Sequence, residues 1–529
     1  MTGGIIQLAL QSGAEDLVLT SNPQITFFKT SFRRATPFSL DAVEQQFQGI
    51  ADFGRRSSVV LSRSGDLATE VWLQITLPSL WTVFEPHTRL VNQPVVKAAR
   101  YTSATSARVA VAPSESRLGS TTTVYQATLT PVIPVGSTGT PPPAVSGFST
   151  LADPLTINVA GLVPGYEYTA SVRTYIQTVQ TATPPPPPPT LDTEPASASV
   201  DVVSLRWCNN IGHALLESVE LTIGGSRIDR HTSDWMDIWS ELTVPEEKKA
   251  GFYEMVGKYE AFDPRSADQS FDGERMLFVP LQFFFCTSPG MALPLLALTY
   301  HETRLEFQFR EYKDLVRSTR RPVSTLMDDA GYPLSLKEIK VYCTQVFLDV
   351  EERRRYSTIP QEYLITVTQF LGDAAINVQP GDALTRKVPI EFSHPVKELL
   401  WVYQPRAAYA GNSTTLDWFD YGTDDFFTDL KIQLNGMDRN VSRPPPYYRL
   451  CQPYTHHTRI PKKRIYSFSF ALHPENVQSS GTCNFSRVDS SHLVATLKST
   501  VTQGRLRVFC TSYNVLRIAS GLGGLSFSG

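Results

Sequence analysis

The chain has 529 residues and a mass of 58.8 kDa, which is too long for one ordinary domain and predicts two or three. Charged residues make up only 19% of the chain and the formal net charge is −3, so direct binding of nucleic acid through a basic arm is not expected. The short basic clusters at residues 317–321, 353–355 and 462–464 are interpreted as solvated or interface charges.

The cysteines and the apolar runs bear on the cellular compartment. Six cysteines are scattered along the chain without C-x-x-C spacing, which predicts reduced thiols in a cytosolic product rather than a disulfide scaffold or a zinc site. The first residues lack the basic region of a signal peptide. The most apolar region, residues 278–300, is broken by prolines and polar residues, so no transmembrane span is expected.

Residues 1–24 are predicted to form an N-terminal arm, because glycine, serine and proline interrupt its short apolar pieces. The whole chain has 38 prolines, 31 glycines and many short β-branched or aromatic runs, a composition that predicts an all-β protein with few, short helices. The first strands are expected at residues 38–47, 57–61 and 70–77. Turns separate them, as in sandwiches and jelly rolls.

Residues 95–196 differ from the chain on both sides, because charge nearly vanishes and the segment closes with six prolines at 184–189. Such a run forms a stiff polyproline II spacer. The residues from Leu162 to Tyr168 resemble the L-x-P-G-x-x-Y turn of fibronectin type III domains, with Pro164 and Gly165 in the turn. Tyr168 would then pin a strand to the preceding turn. An irregular proline- and threonine-rich loop stays open as an alternative, because the usual core tryptophan is missing.

Two features predict strands in the rest of the chain. Gly224 and Gly225 separate the alternating runs 218–223 and 226–229, which is typical of a tight β-hairpin. Near the C-terminus, residues 465–472 alternate between a bulky and a small face until His473-Pro474 ends the strand. The bulky face is predicted to be buried in a sandwich core, and its members are Tyr466, Phe468, Phe470 and Leu472.

No pattern predicts catalytic chemistry, a metal site or a bound cofactor. His301-Glu302 has no second histidine at zincin spacing. His456 and His457 are adjacent, so they point in different directions and are interpreted as interface or hydrogen-bonded histidines. The N-x-S/T sequons at Asn412, Asn440 and Asn484 are interpreted as chance matches, since a cytosolic chain does not meet the host oligosaccharyltransferase.

Several motifs resemble the major capsid proteins of large icosahedral DNA viruses that infect algae and protists. Residues 466–489 resemble the signature YSFAL.PE…SGT.NFSR.D, which includes Asn484, Arg487 and Asp489. The runs GHAL, SVE, IGG and DW.DIW.EL follow the proline-rich segment, and VFLD.EERRR and NVLRI.SG lie further along the chain. These motifs occur in the family's order and cover the chain apart from residues 95–196.

The resemblance implies an all-β tandem double jelly roll with an inserted fibronectin type III or Ig-like β-sandwich. The expected divisions are the arm 1–24, a first jelly roll at 25–94 and 197–325, the insert with its polyproline linker at 95–196, a second jelly roll at 335–518 and a tail at 519–529. The insert is expected in the loop between the fourth and fifth strands of the first roll, facing outward for host attachment or surface shielding.

The family also implies assembly rather than turnover: homotrimers of pseudo-hexagonal outline that tile an icosahedral virion shell. Implied partners are neighbouring capsomers, penton and minor capsid proteins, and an internal membrane beneath the shell that is contacted indirectly. A host surface glycan or receptor would bind through the insert, and assembly would occur in the host cytoplasm. Two alternatives stay open, namely a double jelly roll scaffold that shapes membrane during virion assembly and a secreted carbohydrate-binding β-sandwich protein.

Overall fold

The structure is a computed structural model in which strands dominate and helices are few and short, as the sequence predicts. The residues that it describes are 5, 21–30, 32, 34–82, 94–103, 105–112, 123–132, 141–150, 155–164, 166–176, 190–191, 200–202, 205–259, 274–318, 326–327, 334–379, 382–410, 417–501 and 503–527.

The first strands lie where alternating apolar residues predict them. They are β1 (Phe38–Gln45), β2 (Phe47–Gln48), β3 (Arg56–Val60), β4 (Leu67–Leu77) and β5 (Trp81–Thr82).

The inserted segment also folds as strands. They are β6 (Val95–Ser103), β7 (Ser106–Ala112), β8 (Thr123–Val132), β9 (Val145–Phe148), β10 (Thr156–Ala160), β11 (Glu167–Ile176), β12 (Thr190–Leu191) and β13 (Val200–Val202).

Eight further strands and four α-helices follow the insert, up to residue 348. They are β14 (Leu205–Trp207), α1 (Ile211–Leu215), β15 (Leu216–Ile223), β16 (Ser226–Thr232), α2 (Ser233–Thr243), α3 (Lys249–Val256), β17 (Arg275–Pro280), α4 (Phe284–Thr287), β18 (Thr303–Phe309), β19 (Val316–Ser318), β20 (Leu326–Met327) and β21 (Glu338–Leu348). Single 3-10 turns lie at Glu246–Lys248, Pro289–Met291, Leu295–Ala297 and Tyr312–Asp314.

The remainder begins with a helix and then returns to strands. The elements are α5 (Val350–Thr358), β22 (Gln361–Asn377), β23 (Thr385–Pro389), β24 (Pro395–Pro405), α6 (Arg406–Ala410), β25 (Phe427–Leu434), β26 (Met437–Asp438), α7 (Gln452–His456), β27 (Ile465–Ser469), β28 (Cys483–Asn484), β29 (Ser491–Leu497), β30 (Gln503–Ala519) and β31 (Leu522–Leu525). A π-helical turn, Tyr447–Cys451, precedes α7, and a 3-10 turn lies at Phe485–Arg487.

The chain contains the same antiparallel sandwich twice. In the first roll, one sheet has the order β1-β21-β4-β17 and the other β16-β15-β18-β3-β2. In the second roll, the sheets are β22-β30-β24-β27 and β23-β29-β25-β26. When the two-residue β2 is left out and the remaining eight strands of each roll are counted along the chain, both rolls pair the first strand with the eighth, the eighth with the third and the third with the sixth. This arrangement is the jelly roll, and the fold is a tandem double jelly roll.

The boundary between the rolls differs from the expected one. The sequence predicts that the second roll begins at residue 335, but β21 pairs with β1 and β4 of the first roll. It is the closing strand of that roll, and β22 is the first strand of the second. The division therefore falls at α5.

The insert lies between β4 and β15, which are the third and fourth strands of the first roll, so it is one loop earlier than the predicted connection between the fourth and fifth strands. Its strands form two sheets of their own, β10-β7-β6 and β12-β11-β8-β9, with β13 added beside β11. A separate apolar cluster fills the space inside, and Tyr125, Leu129 and Tyr168 belong to it. The strands β6 to β11 thus enclose a core of their own, apart from the cores of the two rolls.

The hairpin at Gly224 and Gly225 forms as predicted, with Ile223 paired to Ser226. Both glycines have positive φ values, 57° and 81°, as a two-residue turn of this kind requires. A Cβ atom at Gly224 would lie 2.3 Å from Nδ1 of His301, so close packing also favours glycine there.

The strand near the C-terminus, β27, is shorter than expected. Tyr466 and Phe468 are buried in the core of the second roll, as predicted, and Phe470 packs against that core. The strand ends at Ser469, however, where the side-chain hydroxyl donates to the carbonyl of Ala471 and turns the chain. Leu472 is consequently 67% exposed rather than buried.

Candidate assembly surfaces

The sheet β22-β30-β24-β27 of the second roll is buried on both sides. Along β24, Leu399 and Trp401 belong to the core of the second roll. Leu400 and Val402 point the other way and belong to the large apolar cluster that includes the first roll. We call this second side the covered face, and its residues are Leu400, Val402, Ile465 and Phe509.

The first roll covers that face with the chain that connects its fifth and sixth strands, residues 233–258, here called the first crossing segment. Thr232 caps α2 by accepting a hydrogen bond from the backbone N–H of Trp235. The Trp235 ring lies 6.0 Å from the ring of Phe509, measured between centroids. One helix turn later, Trp239 stacks on Trp235 at 5.2 Å. These large side chains remove the covered face from water.

Buried charges fix the first crossing segment against the second roll. Asp237 accepts hydrogen bonds from Nζ of Lys258 at 3.0 Å and from Nζ of Lys463 at 2.6 Å. Glu241 pairs with Lys258 and, at 2.8 Å, with the guanidinium of Arg459. Burial would raise the pKa of Asp237, but the two ammonium groups outweigh burial and lower it. The carboxylates are therefore ionised and paired, a condition under which buried charge is tolerated.

In the equivalent sheet of the first roll, β1-β21-β4-β17, the part of the chain that the structure describes leaves one side without such a cover. Its inner residues on β4, including Leu73 and Ile75, are fully buried. On the outer side we define the open face by Trp72, Met276, Phe278 and Tyr342. Met276 is 47% exposed and Phe278 is 39% exposed, and Trp72 and Tyr342 are half-buried. Trp72 lies opposite both Tyr342 and Pro280, and Phe278 and Met276 follow Pro280 along β17 at two-residue spacing.

The second roll has an element in the same topological position as the first crossing segment. Residues 439–464 connect its fifth and sixth strands, and we call them the second crossing segment. Leu450 and Tyr454 lie four residues apart on its helical part, and Tyr454 is 78% exposed. His456 Nδ1 lies 3.0 Å from the carbonyl oxygen of Leu472, so the exposed Leu472 lies beside this helix. The outer side of the second crossing segment is therefore apolar and exposed.

His457 holds the second crossing segment down. Its Nε2 lies 3.0 Å from Glu398 on β24, and its Nδ1 lies 3.0 Å from Glu475 in the loop after β27. The imidazole is fully buried. Burial lowers the pKa of His457, but the two carboxylates outweigh burial and raise it to about 9. His456 and His457 therefore contact different partners, as the sequence predicts, and both are hydrogen-bonded histidines.

The predicted arm, residues 1–24, lies almost entirely outside the described residues, and the segment that follows it is a second exposed apolar surface. Ile25, Phe27 and Phe28 are described in extended or turn conformations, and Phe28 is 99% exposed. Phe38 and Leu40 continue this exposure along β1. Exposed aromatic residues in such a run are typical of a surface that another chain covers.

The insert contains the predicted tyrosine contact. Tyr168 is buried, and its hydroxyl oxygen accepts a hydrogen bond from the backbone N–H of Val163 at 3.0 Å. Pro164 lies exposed in the turn, and Gly165 lies outside the described residues. The Tyr168 side chain therefore ties β11 to the turn that precedes it.

The other residues singled out from the sequence serve local structure. The Asn484 side chain accepts a hydrogen bond from Ser486 N–H and caps a 3-10 turn. Arg487 and Asp489 are exposed, and the Asp489 backbone N–H donates to Asn435. The side chain of Asn440 donates to Tyr448 Oη at 2.5 Å and accepts from Ile432 N–H, while Asn412 lies outside the described residues.

Sequence reasoning missed the open face and the buried acids. The run from Met276 to Val279 places apolar residues on both sides of β17, a pattern that indicates burial on both sides of a strand. Asp234, Asp237 and Glu241 recur at helical spacing on one side of α2, a pattern that can indicate a shared set of partners.

The described residues contain neither a metal-binding cluster nor a helix of membrane-spanning length. Within those residues, no group of three or more histidine, cysteine or acidic side chains is placed to hold a metal ion. None of the helices there is both long enough and apolar enough to span a membrane.

Two family models match the chain. "Major capsid protein N-terminus" matches residues 26–96 and 189–349, and "Large eukaryotic DNA virus major capsid protein" matches residues 352–524. The two matches meet near α5, where the structure divides the rolls, and residues 97–188 are matched by neither.

Whole-length relatives carry the same description. The major capsid protein of Pyramimonas orientalis virus is 30% identical, that of Phaeocystis pouchetii virus 29% and that of Paramecium bursaria Chlorella virus 1 27%. In each case the match covers all of both chains. Among solved structures, a chain of the PBCV-1 virus capsid has a TM-score of 0.63 at 24% identity, covering 95% of this chain and 100% of that one. The Faustovirus major capsid protein has a TM-score of 0.61 at 13% identity, covering 97% of both chains.

Proposed function

The chain belongs to the major capsid protein family of large eukaryotic DNA viruses, and we propose that three copies join into one capsomer of pseudo-hexagonal outline. It is a structural component of the virion capsid and not an enzyme. The relatives reported above are capsid proteins, which favours the shell function over a shed scaffold or a secreted carbohydrate-binding protein.

The proposal of a trimer rests on the open face of the first roll. Both rolls have the same strand order, yet among the described residues the sheet of the second roll is covered and the corresponding sheet of the first is not. Exposed apolar side chains such as Phe278 favour burial by about 25 cal/mol per Å2 of apolar surface removed from water. A ring of three chains has six rolls, in which every open face can be covered by the next copy.

The segment between the predicted arm and β1 supports contacts between capsomers. Phe27 and Phe28 project from residues that precede the first strand, so they can reach a neighbouring capsomer without disturbing a roll. Further partners in this proposal are penton and minor capsid proteins and, indirectly, a membrane beneath the shell. Assembly would take place in the host cytoplasm.

Native mass and electron micrographs of the purified chain test the trimer. We expect a particle with three times the chain mass of 58.8 kDa and a six-sided outline. A monomer, or a trimer with a round or three-armed outline, would contradict the proposal.

For the insert, the proposal is a fibronectin type III-like domain that faces outward and binds a host surface glycan or receptor. Two sheets with a separate core and the Tyr168 contact to Val163 support the domain type. Its exposed side supports binding: the rings of Phe148 and Tyr175 meet edge to face at 5.3 Å, and Tyr175 donates to Gln126. Aromatic rings beside amide and hydroxyl groups are suited to polar ligands with apolar patches.

Deletion of residues 95–196 tests the insert. We expect trimers to form normally, because the insert has its own core, and binding to host cells to fall. Unchanged host binding by trimers that lack the insert would remove the attachment function and leave surface shielding. Phe148→Ala in the full chain is the matched point variant, and Asn158→Ala on the exposed side of the other sheet is its control.

A further inference from the structure

We infer that the open face of the first roll is covered by the second crossing segment of a neighbouring copy. The inference rests on the proposed trimer and names the two surfaces that close it. The contact joins Trp72, Met276, Phe278 and Tyr342 of one copy to Leu450, Tyr454 and Leu472 of the next.

The first step is the contact that exists within one chain. There, a crossing segment of one roll lies against the outer side of the β22-β30-β24-β27 sheet of the other. Its contacts are aromatic, as between Trp235 and Phe509, and ionic, as between Asp234 and Arg507. The sheet that accepts this cover and the sheet β1-β21-β4-β17 have the same strand order.

The second step is the repeat. Because the rolls share their topology, the operation that places the first crossing segment on the second roll can be applied again. The repeated operation places the second crossing segment on the open face of a first roll. The first roll of the same chain cannot be that roll, because it already contacts the second roll through the first crossing segment. The occupant must therefore come from another copy, and three such steps close a ring of six rolls.

The third step is the chemistry of the two surfaces. Both are apolar where they would touch: Phe278 and Met276 on one side, Tyr454 and Leu472 on the other. The surfaces also include aromatic residues, which are enriched at the centres of protein interfaces. The outer side of the sheet β1-β21-β4-β17 also carries the ion pair of Lys340 with Glu338, so charge accompanies the apolar residues there, as it does at the polar rim of protein interfaces.

The last step concerns the contacts that fix the second crossing segment to the rest of its own chain. His457, held between Glu398 and Glu475, attaches the second crossing segment to its own roll. Arg459 attaches it to Glu241 of the first crossing segment. The exposed side chains of Leu450 and Tyr454 are thus presented on a fixed support, which lowers the entropy that association must overcome.

Cross-linking between copies tests the contact. Cys451 is exposed and lies next to Leu450 in the second crossing segment. The full chain with Phe278→Cys is treated with a short bismaleimide, and the linked peptides are identified by mass spectrometry. We expect covalent trimers joined from position 278 to Cys451, and their loss when Cys451→Ser is added.

A second variant keeps the test independent of folding. Tyr454 is 78% exposed, so Tyr454→Asp leaves the single chain folded. We expect trimer dissociation to become at least tenfold more favourable, while the matched control Met437→Asp, at another exposed apolar position, leaves it unchanged. If trimers form normally with Tyr454→Asp, and if position 278 is not cross-linked to Cys451, the proposed contact is wrong while the trimer itself stands. Absence of trimers in the unaltered chain would overturn the proposed function itself.

Discussion

The strands β4 and β24 are the third strands of their respective rolls, and they differ in one respect. Every residue from Val396 to Gln404 on β24 is buried, whereas β4 alternates between buried residues and the partly exposed Glu70, Trp72 and Gln74. The fold is the same, so the difference arises from what lies outside each sheet. The sheet that is covered in one repeat and open in the other is where we propose that a second copy binds.

The largest effect is expected from a charge placed on the covered face. Leu400→Asp puts an unpaired carboxylate between the two rolls, at a loss of several kcal/mol. We expect no soluble folded chain. The matched variant on the open side, Gln74→Asp, should change the free energy of unfolding of the single chain by less than about 1 kcal/mol. Soluble yield and thermal unfolding measure both, and equal tolerance of the two variants would contradict the comparison.

A smaller but still large effect is expected from the buried charges that hold the cover. Arg459→Met keeps the aliphatic stem but leaves Glu241 with one cation fewer. Breaking a buried pair costs about 3–5 kcal/mol in the free energy of unfolding. Urea denaturation checks this value, with Arg227→Met at an exposed position as the control. A change below about 1 kcal/mol would show that the pair does not hold the rolls together.

Next is a dependence on pH. The pKa of His457 is about 9 in the folded chain, above its ordinary value of 6.5. Its contribution to stability is therefore complete below pH 6.5 and is lost as pH rises through about 9. The full contribution is about 3 kcal/mol, from 1.36 kcal/mol for each pKa unit. Lys397, Glu398 and Glu475 are the charged groups near this imidazole.

The measurement for His457 is the difference in unfolding free energy between the unaltered chain and His457→Gln across pH 6 to 10. We expect the difference to shrink as pH rises. His456→Gln removes the half-buried neighbouring histidine and is the control, for which we expect no such trend. A difference that stays constant with pH would mean that the histidine is not charged when folded.

The smallest effect concerns the insert, which lies outside the comparison of the two rolls. Tyr168→Phe removes the hydroxyl that accepts the hydrogen bond from Val163 N–H and leaves the buried ring in place. We expect a loss of about 1 kcal/mol in the unfolding of residues 95–202 and none in the rolls. Hydrogen exchange resolved by segment would show this. Faster exchange in β24 as well would indicate that insert and rolls unfold together.

Much of the architecture could be predicted from the sequence because it depends on local pattern. The strand β4, the Gly224-Gly225 hairpin and the buried aromatic side of β27 follow from alternation and turn chemistry. The assignment of β21 to the first roll does not follow from such patterns, because a strand that closes one roll and a strand that opens the next have the same local pattern. Only pairing with β1 and β4 separates them.

The assembly surfaces could be predicted less well, for a physical reason. The acids of α2 suggest a solvated helix by composition, and their partners Arg459 and Lys463 lie more than 200 residues away. Leu472 belongs to the bulky side of a regular strand, but the bond from Ser469 to Ala471 ends that strand early. Such features depend on long-range contacts that periodicity does not contain.

The most direct test of the central claim is the native mass of the unaltered chain beside that of Phe278→Asp. Phe278 contributes to the open face and is 39% exposed in the single chain, so the account predicts a trimer for the unaltered chain and a folded monomer for the variant. Both should unfold alike once dissociated. A variant that remains trimeric would contradict the claim that the open face closes the capsomer.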